Sequence, residues 1–347
     1  ETAGRSDLEA ADGLDELVNH QLLTNGDQYR FKHDLINQVT YLSLSPWRRQ
    51  LLHRRAAESL AELYQQKQDQ VAPQIARHYD EAGEIENAAH YYYRAAVHAQ
   101  NIYAYEEAIT YLQQAIKRSS ERTLDWSDIA GYYELLGESL KITGQFEAAR
   151  QAYDNSLAQI PAEHVLRRAE IQHKLAGTFA SQHQVELAEA AFETALLLLG
   201  SEPEDQHSDW QRTWLEVQLD RLRLFYFQAR LDQMDELIRE IKPTLDEIGT
   251  PQQRVDYDHQ RVALSFMQTR YVVSLETVKI AEARVNAAQE AGDKDELVYA
   301  HFLLGFCLLW SGDLQSAAGA LSEGLNLAEE IGIARTQCLC LTYLTIV

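Results

Sequence analysis

The strongest constraint on this chain is a spacing of small and large residues that returns every 39 to 46 positions. Counted from Ala130, it places Gly137 at position 8, Leu140 at 11, Gly144 at 15, Phe146 at 17, Ala149 at 20, Tyr153 at 24, Ser156 at 27 and Pro161 at 32. Such a series describes two antiparallel helices. The small residues let the helices touch, the large ones fill the gap between neighbouring pairs, and the late proline stops the second helix. The series starts again at Ala169 (Ala176, Phe179, Val185, Ala188, Phe192, Ala195) and at Val298 (Gly305, Leu308, Gly312, Leu314, Ala317, Leu321, Gly324). Weaker copies begin at Leu215 (Leu222, Phe225, Leu231, Met234, Ile238) and at Val255 (Val262, Ser265, Tyr271, Ser274, Val278, Ala281). From Asp69 the chain reads Ala76, Tyr79, Ala88, Tyr92 and Ala95. The second helix of that segment also opens the next pair, which Ala108, Leu112 and Ala115 close. A last first helix begins near Arg335.

Six copies in series resemble the tetratricopeptide repeat. The resemblance spans residues 67–347 and implies an all-α, right-handed α-solenoid. Starts at 130, 169, 215, 255 and 298 are 39, 46, 40 and 43 residues apart, whereas the standard unit has about 34. Helices or loops are therefore longer here, and residues 200–207 and 249–252 read as loops between repeats. With only 6 Pro and 16 Gly in 347 residues, the composition raises no barrier to long helices.

Residues 1–66 break the pattern. Leu8 to Val18 reads as a helix, Leu22 to Thr24 and Tyr29 to Phe31 as short strands, and Asn25-Gly26-Asp27 as the turn between them. A long amphipathic helix follows from Pro46 to Gln66. A helix with a two-stranded wing is the outline of a small winged-helix unit. Phe31-Lys32-His33-Asp34-Leu35-Ile36, then Tyr41, Leu44, Arg49, Leu52-His53-Arg54 and Ala56, resemble the winged-helix end of bacterial multidomain signal-transduction ATPases of the STAND class. His33-Asp34-Leu35 is similar to the His-Asp-Leu of their "MHD" motif, with Lys32 in place of Met. The resemblance implies that His33 senses the β-phosphate of bound ADP in a longer protein and that Asp34 positions the local backbone. This chain contains no Gly-x-x-x-x-Gly-Lys-Ser/Thr loop, so ATP or ADP belongs to a domain upstream, and no cofactor is expected for residues 1–347 themselves. The chain starts without Met and ends within an apolar helical pattern, as a piece of a longer protein would.

Charge narrows the partners. The formal net charge is -22, which opposes phosphate backbones and anionic lipid. Arg48, Arg49, Arg54 and Arg55 sit in a segment where acidic groups still outnumber basic ones, so salt bridging to neighbouring domains is expected of them rather than direct nucleic-acid binding. No apolar run reaches the length of about 20 residues that spans a bilayer. Cys307, Cys338 and Cys340 are too few for a disulfide framework and fit a reducing, cytoplasmic setting.

Catalytic signatures are absent: there is no His-Glu-x-x-His, Cys-x-x-Cys, Gly-x-Ser-x-Gly or Gly-rich dinucleotide turn. The chain is expected to bind rather than to catalyse, and no metal site is expected. Tetratricopeptide solenoids bind on the concave face built by each first helix, and the family pattern points positions 2, 5, 9, 12 and 13 there. Early repeats offer Glu134, Glu138 and Lys141, then Glu170, His173 and Ser181. Later repeats offer Arg223, Tyr226 and Phe227, then His259, Phe266 and Met267, and finally Tyr299, Phe302, Phe306 and Trp310, one stripe on a helix. Those aromatics define a candidate groove for a protein or peptide partner, or for a small-molecule inducer. The expected role is that of a sensor or regulatory region of a larger ATPase or transcription regulator. The alternative is a stand-alone scaffold that holds proteins together.

Overall fold

The computed structural model describes residues 7–24, 29–120, 124–200, 207–270 and 272–347. The expected Asn25-Gly26-Asp27 turn, Tyr271 and most of the loop 200–207 lie outside the described residues. Among the described residues the chain forms seventeen α-helices and one two-stranded sheet, an all-α fold of tetratricopeptide-like helical repeats. It divides into two compact units, Glu1–Pro161 and Ala162–Val347.

The first unit opens with α1 (Asp7–Asn19), β1 (Leu23–Thr24), β2 (Arg30–Phe31) and α2 (Asp34–Ser43). The strands pair antiparallel, Leu23 opposite Phe31 and Thr24 opposite Arg30. Then come α3 (Pro46–Leu63), α4 (Gln68–Ala82), α5 (Ile85–Asn101), α6 (Tyr105–Ser119), α7 (Trp126–Ile142) and α8 (Phe146–Gln159). From α3 on, each helix of this unit packs on the next, and α5 also touches α7. Helix α3 lies on α4 as the later helices lie on each other, so the repeat-type packing already begins at Pro46. Ser45 and Pro46 explain that start. The Ser45 side chain accepts from the Arg48 amide, and proline at the first helical position has no amide hydrogen to leave unpaired.

The second unit holds α9 (Val165–Ser181), α10 (Val185–Leu199), α11 (His207–Phe227), α12 (Leu231–Ile248), α13 (Pro251–Thr269), α14 (Leu275–Ala291), α15 (Lys294–Ser311), α16 (Leu314–Ile331) and α17 (Ala334–Leu344). Consecutive helices pack on one another, and the odd-numbered ones form a layer of their own: α9 touches α11, α11 touches α13, and α15 touches α17. Thr250, Pro251 and Gln253 start α13 with a reciprocal capping box. Asp293 starts α15 by accepting from the amides of Asp295 and Glu296. Gly292, Gly312 and Gly332 end α14, α15 and α16 in the left-handed conformation.

The repeat spacing maps directly onto burial. Ala130, Ala169, Leu215, Val255 and Val298, the five starts, are all fully buried. So are Ala149, Ala188, Met234 and Ala317 at position 20. Ser274 departs from the pattern. It is not a packing residue but the N-cap of α14, accepting from the Thr277 amide, because the turn before α14 is longer than in the other repeats. Position 15 takes a left-handed backbone in the copies that start at Ala130, Ala169, Leu215 and Val298. Gly144 and Gly312 hold φ of 78° and 92°, and the non-glycines His183 and Ala229 hold 56° and 54°. The short turn between these paired helices takes that conformation even where the sequence supplies a non-glycine.

Candidate functional site

The aromatic residues of the later first helices converge in the second unit. Tyr226 comes from the last turns of α11, His259 and Phe266 lie two turns apart on α13, and Tyr299 comes from the first half of α15. With Val262, Ala263, Met267 and Leu303 they line a cleft of about 110 Å³. That volume suits one branched or aromatic side chain. The rings are in register because residues three and four apart share a helix face. His259 and Tyr299 lie 5.9 Å apart between ring centres, and Phe266 meets Phe306 edge to face at 5.5 Å.

Polar groups flank the cleft on the turns toward the helix N-termini. His173 of α9 and Asp220 of α11 are 2.8 Å apart. Arg223 lies 3.5 Å from Asp220 and 3.8 Å from Asp256 of α13. Arg284 of α14 is 3% exposed, pairs with Glu296 of α15 at 2.7 Å, and lays its guanidinium over the Tyr299 ring at 5.2 Å. Its Nε and Nη1 are buried without a hydrogen-bond partner, and so is Nδ1 of His259. Burial, reinforced by the charges of Arg284 and Arg223, lowers the His259 pKa to about 4. The imidazole is therefore neutral near pH 7, with one nitrogen donating and one accepting. Burial also raises Asp256, Arg223 opposing it and Glu296 adding to it. The orphaned Nδ1 itself is turned into the protein, so what His259 brings to the cleft is a neutral ring among aromatic and aliphatic side chains.

The expected groove residues separate into three groups. Tyr226, His259, Phe266 and Tyr299 come together at the cleft. Arg223 and Phe227 stand beside it, Arg223 between two carboxylates and Phe227 exposed with its ring against His183. The lower stripe of α15 is used otherwise. Phe302 is 7% exposed and packs on Leu321 and Cys340 as a core residue. Phe306 is half-buried, and Tyr343 of α17 covers both rings, at 5.7 Å from Phe302 and 5.1 Å from Phe306. Trp310, half-exposed, continues the ring series past Phe306 at 6.1 Å. Sequence reasoning missed Asp256, Glu296 and Arg284. The first two share helix faces with His259 and Tyr299 and were within reach of the same spacing argument. Arg284 sits on a second helix, where the first-helix rule never looks.

His33 and Asp34 lie in the first unit. His33 is the N-cap of α2 with an extended backbone (φ -136°, ψ 131°) and no side-chain cap bond, and Asp34 opens the helix. Both side chains are exposed. The same helix has no buried residue, and Leu35, Val39 and Leu42 line up on it at 69%, 58% and 68% exposure. A larger groove of about 500 Å³ runs between α6, α7 and α8, edged by Gln113, Tyr133, Gln151 and Asn155. It is more open than the aromatic cleft and carries no orphaned buried group. Among the described residues no His, Cys, Asp and Glu side chains gather in threes to hold a metal ion, and no helix is long and apolar enough to cross a membrane.

No protein-family model matches the sequence, and no curated protein is similar to it. Solved structures do share the fold. Aspartyl phosphate phosphatase F of Bacillus subtilis is 11% identical over 92% of this chain and 81% of its own, with a TM-score of 0.53. The apo form of the quorum sensor NprR of B. thuringiensis is 15% identical over 92% and 84%, also with a TM-score of 0.53. The C-terminal part of a TPR repeat-containing protein from Cytophaga hutchinsonii is 16% identical over 78% and 95%, with a TM-score of 0.50. At these identities the likeness is one of fold.

Proposed function

We propose that this chain is a regulatory binding region whose later repeats take a protein or peptide segment at the aromatic cleft of α11, α13 and α15. One observation carries the reading: rings from three first helices, the neutral imidazole of His259 among them, close around a space the size of one side chain. Apolar pockets with a few fixed polar groups are the usual form of recognition sites. A small-molecule inducer with an apolar group of the same size would use the same contacts. One protein of the same fold is a quorum sensor by its own name, which agrees with a sensing role here. Binding, not catalysis, is the activity proposed.

The residues before Pro46 extend the reading to a larger protein. We assign them to a winged-helix segment of a signal-transduction ATPase, with His33 and Asp34 facing the nucleotide of an upstream domain. The support is the His33-Asp34-Leu35 sequence, the exposure of both polar side chains, and the apolar stripe of α2, which needs a cover. Partner binding at the repeats would then bias the nucleotide-dependent states of the whole molecule.

The test is capture of partners by the full-length protein, with and without ATP, compared with Ala263→Trp. Ala263 lines the cleft, and an indole there fills it. Partners lost in the variant, while far-ultraviolet circular dichroism is unchanged, support the site. Partners captured equally by both proteins refute it.

A further inference from the structure

A second polar arrangement, in the first unit, has no part in partner binding. The Tyr41 hydroxyl of α2 lies 3.0 Å from Nε2 of His53 on α3. Nδ1 of His53 lies 2.9 Å from Nδ1 of His78 on α4. The three rings touch in sequence, Tyr41 edge to face on His53 at 5.8 Å and His53 tilted on His78 at 5.2 Å. Among the described residues this is the hydrogen-bonded link from α2 to the repeat helices. It counts for more than one bond would elsewhere, because α2 buries no residue of its own.

Two Nδ1 atoms at hydrogen-bond distance need one proton between them. With both imidazoles neutral, one Nδ1 donates and the other accepts, and the Tyr41 hydroxyl donates to or accepts from Nε2 to match. With one imidazole charged, its Nδ1 hydrogen still meets the lone pair of its neighbour. With both charged, two N–H groups and two positive charges face each other, and the contact has no attractive arrangement left. We propose that Tyr41, His53 and His78 form a proton-operated latch that holds α2 to the first repeat helices, closed while the imidazoles carry at most one charge and opened by the second.

The surroundings set the sign. His78 is lowered from the ordinary value of 6.5, first by burial, then by His53 and Arg77, with Glu81 opposing. Arg49 of α3 lies over the Tyr41 ring at 5.3 Å. Arg54 is engaged by Glu58 and Glu84, so those carboxylates are committed elsewhere. A histidine lowered in the closed state takes its proton more readily when released. The latch is therefore whole above pH 6.5 and weakens as pH falls below that value. This goes beyond the binding reading, because it couples the position of α2, which carries His33 and Asp34 at its start, to proton concentration rather than to a partner.

The experiment is amide hydrogen exchange of the 347-residue chain, read over residues 34–43, at about pH 7.5 and about pH 5.5 after correction for intrinsic rates. In the wild type, protection of α2 should fall about five-fold on acidification, the worth of roughly one hydrogen bond, while α5 to α8 stay protected. Tyr41→Phe removes one hydroxyl and should show the low protection at both pH values. His78→Gln keeps an acceptor for His53 but cannot take a second charge, and should stay protected at both. Protection of α2 that ignores pH in the wild type overturns the latch, and so does neutral-pH protection that survives in Tyr41→Phe. Acid loss that persists undiminished in His78→Gln does so as well.

Discussion

His259 holds a neutral ring in the wall of the cleft because burial and two nearby guanidiniums lower its pKa to about 4. In the unfolded chain the same ring titrates at its ordinary 6.5. As pH falls from 6.5 toward 4 the unfolded state takes the proton and the folded state does not, so stability is lost across that window. The full effect at pH 4 is about 3 kcal/mol. Asp256 and Asp258 work the other way, since burial raises both and the folded state gains as they protonate. They are common to wild type and variant, so the comparison isolates the histidine. Urea unfolding of His259→Phe against wild type should show a stability difference that grows in favour of the variant between pH 6.5 and pH 4 and is flat above it. Nothing in the residue order foretold this ring's environment. The helical spacing placed His259 on the inner face, but its character comes first from burial among neighbouring helices and then from the charge of Arg284 on a second helix.

At the scale of helices, the small residues of the repeat mark the closest approaches. A Cβ on Gly137 would lie 2.6 Å from the Tyr153 ring, and one on Gly305 would lie 2.5 Å from Cγ of Leu321. In each case positions 8 and 24 of one repeat meet. Gly137→Ala and Gly305→Ala should each cost about 1–3 kcal/mol by forcing the paired helices apart. Gly131 and Gly319 also lie within helices, yet a Cβ on either meets nothing within 4 Å. Gly131→Ala and Gly319→Ala should instead stabilise by about 0.5–1 kcal/mol, because alanine restricts the unfolded chain. Thermal unfolding of the four variants checks both signs at once. Helix existence and pairing were legible from spacing, since close contact between helices admits only small side chains at defined steps. The start of α14 was not legible, because a longer turn hands Ser274 a capping role that the average pattern assigns to packing.

For the molecule as a whole, the net charge of -22 spread over 347 residues acts against compactness. Raising salt from about 20 mM to about 200 mM shortens the screening length from roughly 20 Å to below 10 Å, and the melting temperature should rise with it. A melting temperature that is flat or falls would mean that pairs such as Arg118–Asp80 and Arg230–Glu189 outweigh the general repulsion. The sequence by itself determined the all-α repeat class, the order of paired helices and the aromatic character of the later inner helices. Each of these is written in short-range periodicity, which a helix turns directly into faces. The tertiary structure alone decided which aromatics stay accessible. Tyr343, more than thirty residues along the chain, lies over Phe302 and Phe306, so that the first is core and the second half-buried, while Tyr226, His259 and Tyr299 are left around an open cleft floored by the buried Phe266. Cover of that kind depends on which helix stacks next, and periodicity within one helix carries no information about its neighbour.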